Sequence, residues 1–110
     1  MGVRRYPRPH LDPQSTVWAD VYPDRGDAAA ASGRLATLGP GGVFIELGQE
    51  YPLGSLLSLR FKLPPNFSEI VCWGVVRNAL YGRGVGIEFS DLRPGDRDRI
   101  ASFVTERTRH

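Results

Sequence analysis

The chain has 110 residues, 41% of them hydrophobic and 24% charged, with a formal net charge of +2. That length suits one domain with a modest core, and so small a charge does not by itself argue for a nucleic-acid partner. The single cysteine, Cys72, excludes an internal disulfide, and no apolar run has the length of a membrane span or the form of a signal-peptide h-region, so a cytoplasmic location is expected.

Residues 1–14 contain Pro7, Pro9 and Pro13 and show no apolar periodicity. Residues before proline are driven towards extended backbone, so this stretch reads as an arm. Arg4, Arg5 and Arg8 give its first ten residues three cations and no acid, a local attractor for anions. Thr16 to Tyr22 alternates as a first strand, with Val17, Ala19 and Val21 on one side. Pro23 to Asp27 reads as a turn, and Ala28 to Ala31, too short for a helix, leads as a loop into the next strand.

Gly33 to Leu38 forms the second expected strand, Gly39-Pro40-Gly41-Gly42 a bend, and Val43 to Leu47 the third strand. Glycines in a bend serve either positive φ or close approach of a ligand to the backbone. After a connection over Gly48 to Gly54, Leu57, Leu59, Phe61 and Leu63 alternate with Ser58, Arg60 and Lys62, the cleanest period of two in the chain. Pro64-Pro65-Asn66 forces a turn. Glu69 to Arg77 is apolar on both faces, Ile70, Cys72 and Val76 against Val71, Trp73 and Val75, which predicts one side in the core and the other under a helix or arm. Asn78 to Gly82 reads as a hairpin. Val85, Ile87 and Phe89 then face inward, while Gly84 and Gly86 leave the outer side open to close packing. Pro94 opens a final helix whose dipole Asp96 and Asp98 complement, and Ile100, Phe103 and Val104 form its apolar stripe. Arg107, Arg109 and His110 read as a polar tail.

Six short strands and one terminal helix indicate a mainly β, six-stranded antiparallel barrel over residues 15–110. No catalytic constellation emerges, so the expectation is a non-enzyme. Cys72 has no base beside it and reads as a structural thiol, and His10 and His110 stand too far apart in sequence for a metal site. No Gly-Lys-Ser/Thr follows the glycine bend, and neither a carboxylate pair nor a serine elbow is present. Trp18 and Trp73 read as packing residues, with a border to the ligand or helix side as the alternative for Trp73. With the aromatics assigned largely to core positions, single-stranded nucleic acid is an unlikely partner.

Arg4 and Arg8 have the spacing of an RxxxR arm, with Arg5 between them, and Thr37-Leu38-Gly39-Pro40-Gly41-Gly42 stands in the place of a (D/N)xSxxG motif. These residues resemble the PilZ family, whose members bind the bacterial second messenger cyclic di-GMP. Gly42-Val43-Phe44-Ile45, Arg60-Phe61-Lys62-Leu63 and Gly84-Val85-Gly86-Ile87-Glu88-Phe89 look like barrel segments of that family. The resemblance implies a PilZ-type barrel with a C-terminal helix, with Arg4, Arg5, Arg8, Thr37, Gly39 and Gly42 as ligand-binding residues. It also implies cyclic di-GMP as a regulatory ligand rather than a cofactor, and a protein effector as partner. Thr37 replaces the motif's Asp or Asn and Gly39 its Ser. A charge-assisted hydrogen bond lost in this way costs about 1.5–3 kcal/mol, a ten- to hundredfold fall in affinity. Two functions follow from the resemblance. One is a receptor whose arm orders on binding ligand; the other is a degenerate adaptor in motility or pilus regulation that binds the dinucleotide weakly or not at all.

Overall fold

A computed structural model of the chain describes residues 17–24, 30–64 and 67–108. Within these, strict alternation fixes the architecture. In β4 (Leu56–Leu63) Leu57, Leu59, Phe61 and Leu63 are buried while Arg60 and Lys62 face solvent. The pleat sends successive side chains to opposite faces, so one residue in two reaches the core. In β1 (Trp18–Pro23) the same rule buries Ala19 and Val21; in β2 (Ala31–Gly39) it buries Leu35, and in β3 (Gly42–Glu46) Val43 and Ile45. β5 (Ser68–Leu80) contributes Ile70, Cys72 and Val76 to the core, and β6 (Gly84–Phe89) contributes Val85, Ile87 and Phe89.

The six strands close into a barrel in the order β1-β2-β3-β6-β5-β4, each neighbour antiparallel. Among the described residues, closure pairs every strand on both sides, which removes the free edges of an open sheet. One end of the barrel is covered by α1 (Pro94–Thr108), which starts at Pro94 with Asp96 in its first turn and buries Ile100 and Phe103. Val104 packs partly against the same core. Inside, the rings of Phe61 and Phe89 stack at 6.4 Å between centroids.

Several boundaries differ from the sequence reading. β2 begins at Ala31, two residues early, because its first residues pair with β1 through Ala31–Val21 and Ser32–Asp20. β5 runs on to Leu80: a register shift between Val76 and Asn78 bends the strand so that it keeps pairing with β6. The hairpin turn is therefore Tyr81–Arg83, with Gly82 at φ +73° and the Arg83 amide donating to the Leu80 carbonyl at 2.8 Å. Arg107 lies within α1 rather than in a tail.

Two packing expectations are corrected. Trp18 is 61% exposed and Trp73 37% exposed, because both stand on outward positions of their strands, and α1 caps the barrel end instead of covering β5. Tyr22 and Tyr81 are also exposed, so the aromatics do not fall largely on core positions. The outer side of β6 is closed from within the chain. Phe44 pairs with Gly86, and a Cβ at Gly84 would come within 2.8 Å of the Phe44 ring. An aromatic laid over a cross-strand glycine fills the gap that the glycine leaves.

Candidate functional site

Of the six expected ligand-binding residues, Arg4, Arg5 and Arg8 lie outside the described residues, as do His10, Arg25 to Asp27, Pro65, Asn66, Arg109 and His110. The other three share one hairpin. Gly39 pairs with Gly42 across β2 and β3, Thr37 pairs with Phe44, and the turn between the strands is Pro40–Gly41. The glycine bend is thus tighter than the four residues 39–42, since its two outer glycines belong to the strands.

These glycines do not serve positive φ. Among the described residues, positive φ falls at Gly54, Gly82, Gly84 and Phe67. Gly42 has a different reason: a Cβ there would collide with the Ile87 carbonyl oxygen of β6. Close approach of two backbones selects glycine at this position.

Both carbonyls of the turn are held from outside the hairpin. The Phe89 amide of β6 donates to the Gly41 carbonyl at 3.0 Å, and Arg97 Nη1 of α1 donates to the Pro40 carbonyl at 2.7 Å. A register shift between Leu35 and Thr37 displaces the ladder beside the corner, the kind of irregularity that re-aims side chains near sites. Two ion pairs lie on the outer surface of these strands, one at the far end of the β2–β3 hairpin and one beside the corner. Arg34 forks onto Glu46, with Nε–Oε1 at 3.0 Å and Nη2–Oε2 at 2.9 Å, and Arg77 Nε meets Glu88 Oε1 at 2.8 Å. Glu88 is the cross-strand partner of Gly42, which places the second pair next to the corner. The chain enters the barrel alongside β2, four residues before Gly39, for the Val17 carbonyl accepts the Leu35 amide at 2.8 Å.

Sequence reasoning missed Arg97, Phe44 and the two ion pairs. Each depends on a partner remote in sequence, and a single arginine in a helix carries no local signal of the carbonyl it holds.

The chain's other reactive groups lie elsewhere. Burial, with Asp91 and Asp96 adding to it, pushes the Cys72 thiol up to about 12, which keeps it protonated and unreactive at neutral pH. Among the described residues no cluster of His, Cys, Asp and Glu could hold a metal ion, and no helix is long and apolar enough to cross a membrane. A cavity of about 370 Å³ lies between Tyr51 and the Leu80–Gly82 hairpin tip, at the opposite end of β6 from Gly42.

The family model described as PilZ domain matches residues 3–106. The chain belongs to the PilZ family. Solved PilZ-type structures share its fold. The Bacillus subtilis inhibitor of motility MotI/DgrA aligns with a TM-score of 0.76 at 20% identity, covering 100% of this chain and 55% of that one, so this chain spans about half its length. The PilZ domain of CeSA from a cellulose synthesizing bacterium aligns with a TM-score of 0.57 at 17% identity, over 90% of this chain and 95% of that one. No curated protein matches in sequence.

Proposed function

We propose that this PilZ domain is a non-enzymatic receptor for cyclic di-GMP. The dinucleotide is held between the guanidinium groups of Arg4, Arg5 and Arg8 and the corner formed by Thr37, Gly39 and Gly42. Arginine suits this ligand because its planar fork pairs with phosphate and its flat face stacks on a base. The observation that carries the reading is the corner itself: a glycine-built turn, tied through both of its carbonyls, on the strand beside which the chain enters the barrel. Arg8 precedes Val17 by nine residues, a span of up to about 30 Å when extended, so it can reach the corner. Ligand then fixes the arm and the corner against each other, and the combined surface engages a protein effector.

Isothermal titration with cyclic di-GMP tests this. Saturable binding that disappears in Arg4→Ala and Arg8→Ala supports the receptor.

A second reading is an adaptor that keeps the barrel and recognises its partner without nucleotide, in motility or pilus regulation. Thr37 and Gly39 favour it, since one hydroxyl and a bare backbone replace the motif's carboxylate or amide and its serine. Capture of the same partner with and without cyclic di-GMP would select this reading over the first.

A further inference from the structure

We infer that Arg97, on the C-terminal helix and outside both sequence motifs, is a positioning residue for the dinucleotide corner. The inference rests on the receptor reading and adds to it the element that sets the corner's shape. Pro40 has no amide, so its carbonyl is the one backbone hydrogen-bonding group it offers, and Arg97 takes it at 2.7 Å across 57 residues of sequence. The Gly41 carbonyl is taken in turn by the Phe89 amide. A two-residue turn is thereby tied to two different elements, β6 and α1.

The helix is a rigid base for this bond. Ile100, three residues on, shares a face with Arg97 and is fully buried, and Phe103 extends the same contact. The Arg97 amide donates to the Arg93 carbonyl at 2.9 Å, so the arginine belongs to the regular helix and not to a frayed end. A ligand that approaches backbone at Gly39 and Gly42 gains most from a corner already held in shape, because less ordering remains to be done on binding. The guanidinium also places a fixed positive charge behind a corner proposed to receive an anion. By linkage, a ligand that prefers the held corner also strengthens the attachment of α1 to it, which makes the helix the part of the barrel that senses occupancy.

Arg99 provides an internal control. It sits two residues along the same helix and makes the same kind of bond, Nη2 to the Ser68 carbonyl at 2.8 Å, but that carbonyl belongs to the start of β5. The test compares the parent chain with Arg97→Ala, Arg97→Lys and Arg99→Ala by two readouts. One is exchange of the Phe89 amide, which reports the corner without ligand; the other is affinity for cyclic di-GMP by calorimetry.

Arg97→Ala should speed exchange at Phe89 and weaken binding roughly five- to tenfold, the size of coupling carried by one side chain between elements. Arg97→Lys, which keeps the charge and one donor, should recover part of the loss, and Arg99→Ala should change neither readout. The inference is overturned if Arg97→Ala binds as tightly as the parent, or if Arg99→Ala loses as much. Should Arg97→Ala fail to fold, Arg97→Lys decides: unchanged exchange together with unchanged affinity overturns the inference. A parent chain that gives no binding heat sinks the receptor reading and this one with it; binding that is indifferent to Arg97 sinks this one alone.

Discussion

The two sides of the barrel are built on opposite principles. On the β2–β3–β6 side, glycines bring backbones together: Gly42 against the Ile87 carbonyl, Gly84 against Phe44 and the Ile45 carbonyl. On the β1–β4–β5 side, strands are held by cross-strand side chains, with Ser58 between Tyr22 and Trp73, and Arg60 between Asp20 and Val71. Arg60 there lies over the Tyr22 ring at 5.4 Å. The first side presents backbone and a tied turn; the second presents aromatic and aliphatic side chains that are partly exposed. Gly42 and Gly84 on the first side leave no room for an added atom, whereas an exposed position such as Val71 on the second tolerates exchange. A receptor site that depends on backbone approach belongs on the first.

The sharpest way to break this contrast is to make one small substitution on each side. Gly42→Ala must move the Ile87 backbone and should cost about 1–3 kcal/mol in urea unfolding, the range of overpacking in a well-packed site. At the other end of the scale, Val71→Thr on the exposed face of β5 should stay within about 0.5 kcal/mol. Equal costs at the two positions would mean that the two sides do not differ as described.

Next in size is the inward face of β5. Cys72 is held protonated up to about 12 against an ordinary value of 9.0. The folded chain therefore keeps a proton that the unfolded chain releases, so this group's stabilisation is complete below pH 9 and is lost as pH rises towards 12. Stability should fall by up to roughly 1.4 kcal/mol per pH unit across that window. A Cys72→Ala variant, whatever its stability at neutral pH, should lack this component of the slope. Identical alkaline slopes in the two chains would contradict the assignment.

The smallest effect should come from the ion pair between β2 and β3. Arg34 and Glu46 are matched at both ends of the fork, yet both side chains are at least a third exposed. Arg34→Ala should cost less than about 1 kcal/mol, and less still at high salt. A larger, salt-independent loss would show that this pair contributes more to the hairpin than an exposed ion pair can.

The parts of the fold that were legible in sequence are those fixed by local pattern. The alternation of Leu57, Leu59, Phe61 and Leu63 identified β4 because a barrel strand has one apolar face and one wet one. Thr37, Gly39 and Gly42 could be grouped because a hairpin keeps sequence neighbours together in space. Trp18 was misread because a large apolar residue on an outward position looks the same in sequence as a packed one, whereas Trp73 was placed on the correct face of β5. The length of β5 was hidden by a register shift, which moves the pattern out of phase between Val76 and Asn78. The close packing expected at Gly84 and Gly86 is there, but that Phe44 supplies it follows only from the β3–β6 register. Arg97 was invisible for the same reason, with 57 residues between donor and acceptor.

In the proposed receptor the dinucleotide sits on the glycine-built corner. The most direct test is an amide chemical-shift map of the chain titrated with cyclic di-GMP. Saturable shifts concentrated at Thr37, Gly39 and Gly41 to Phe44, with Val71 and Trp73 unmoved, are the predicted result. A map without shifts at saturating ligand, or one centred on Val71 and Trp73, would contradict it.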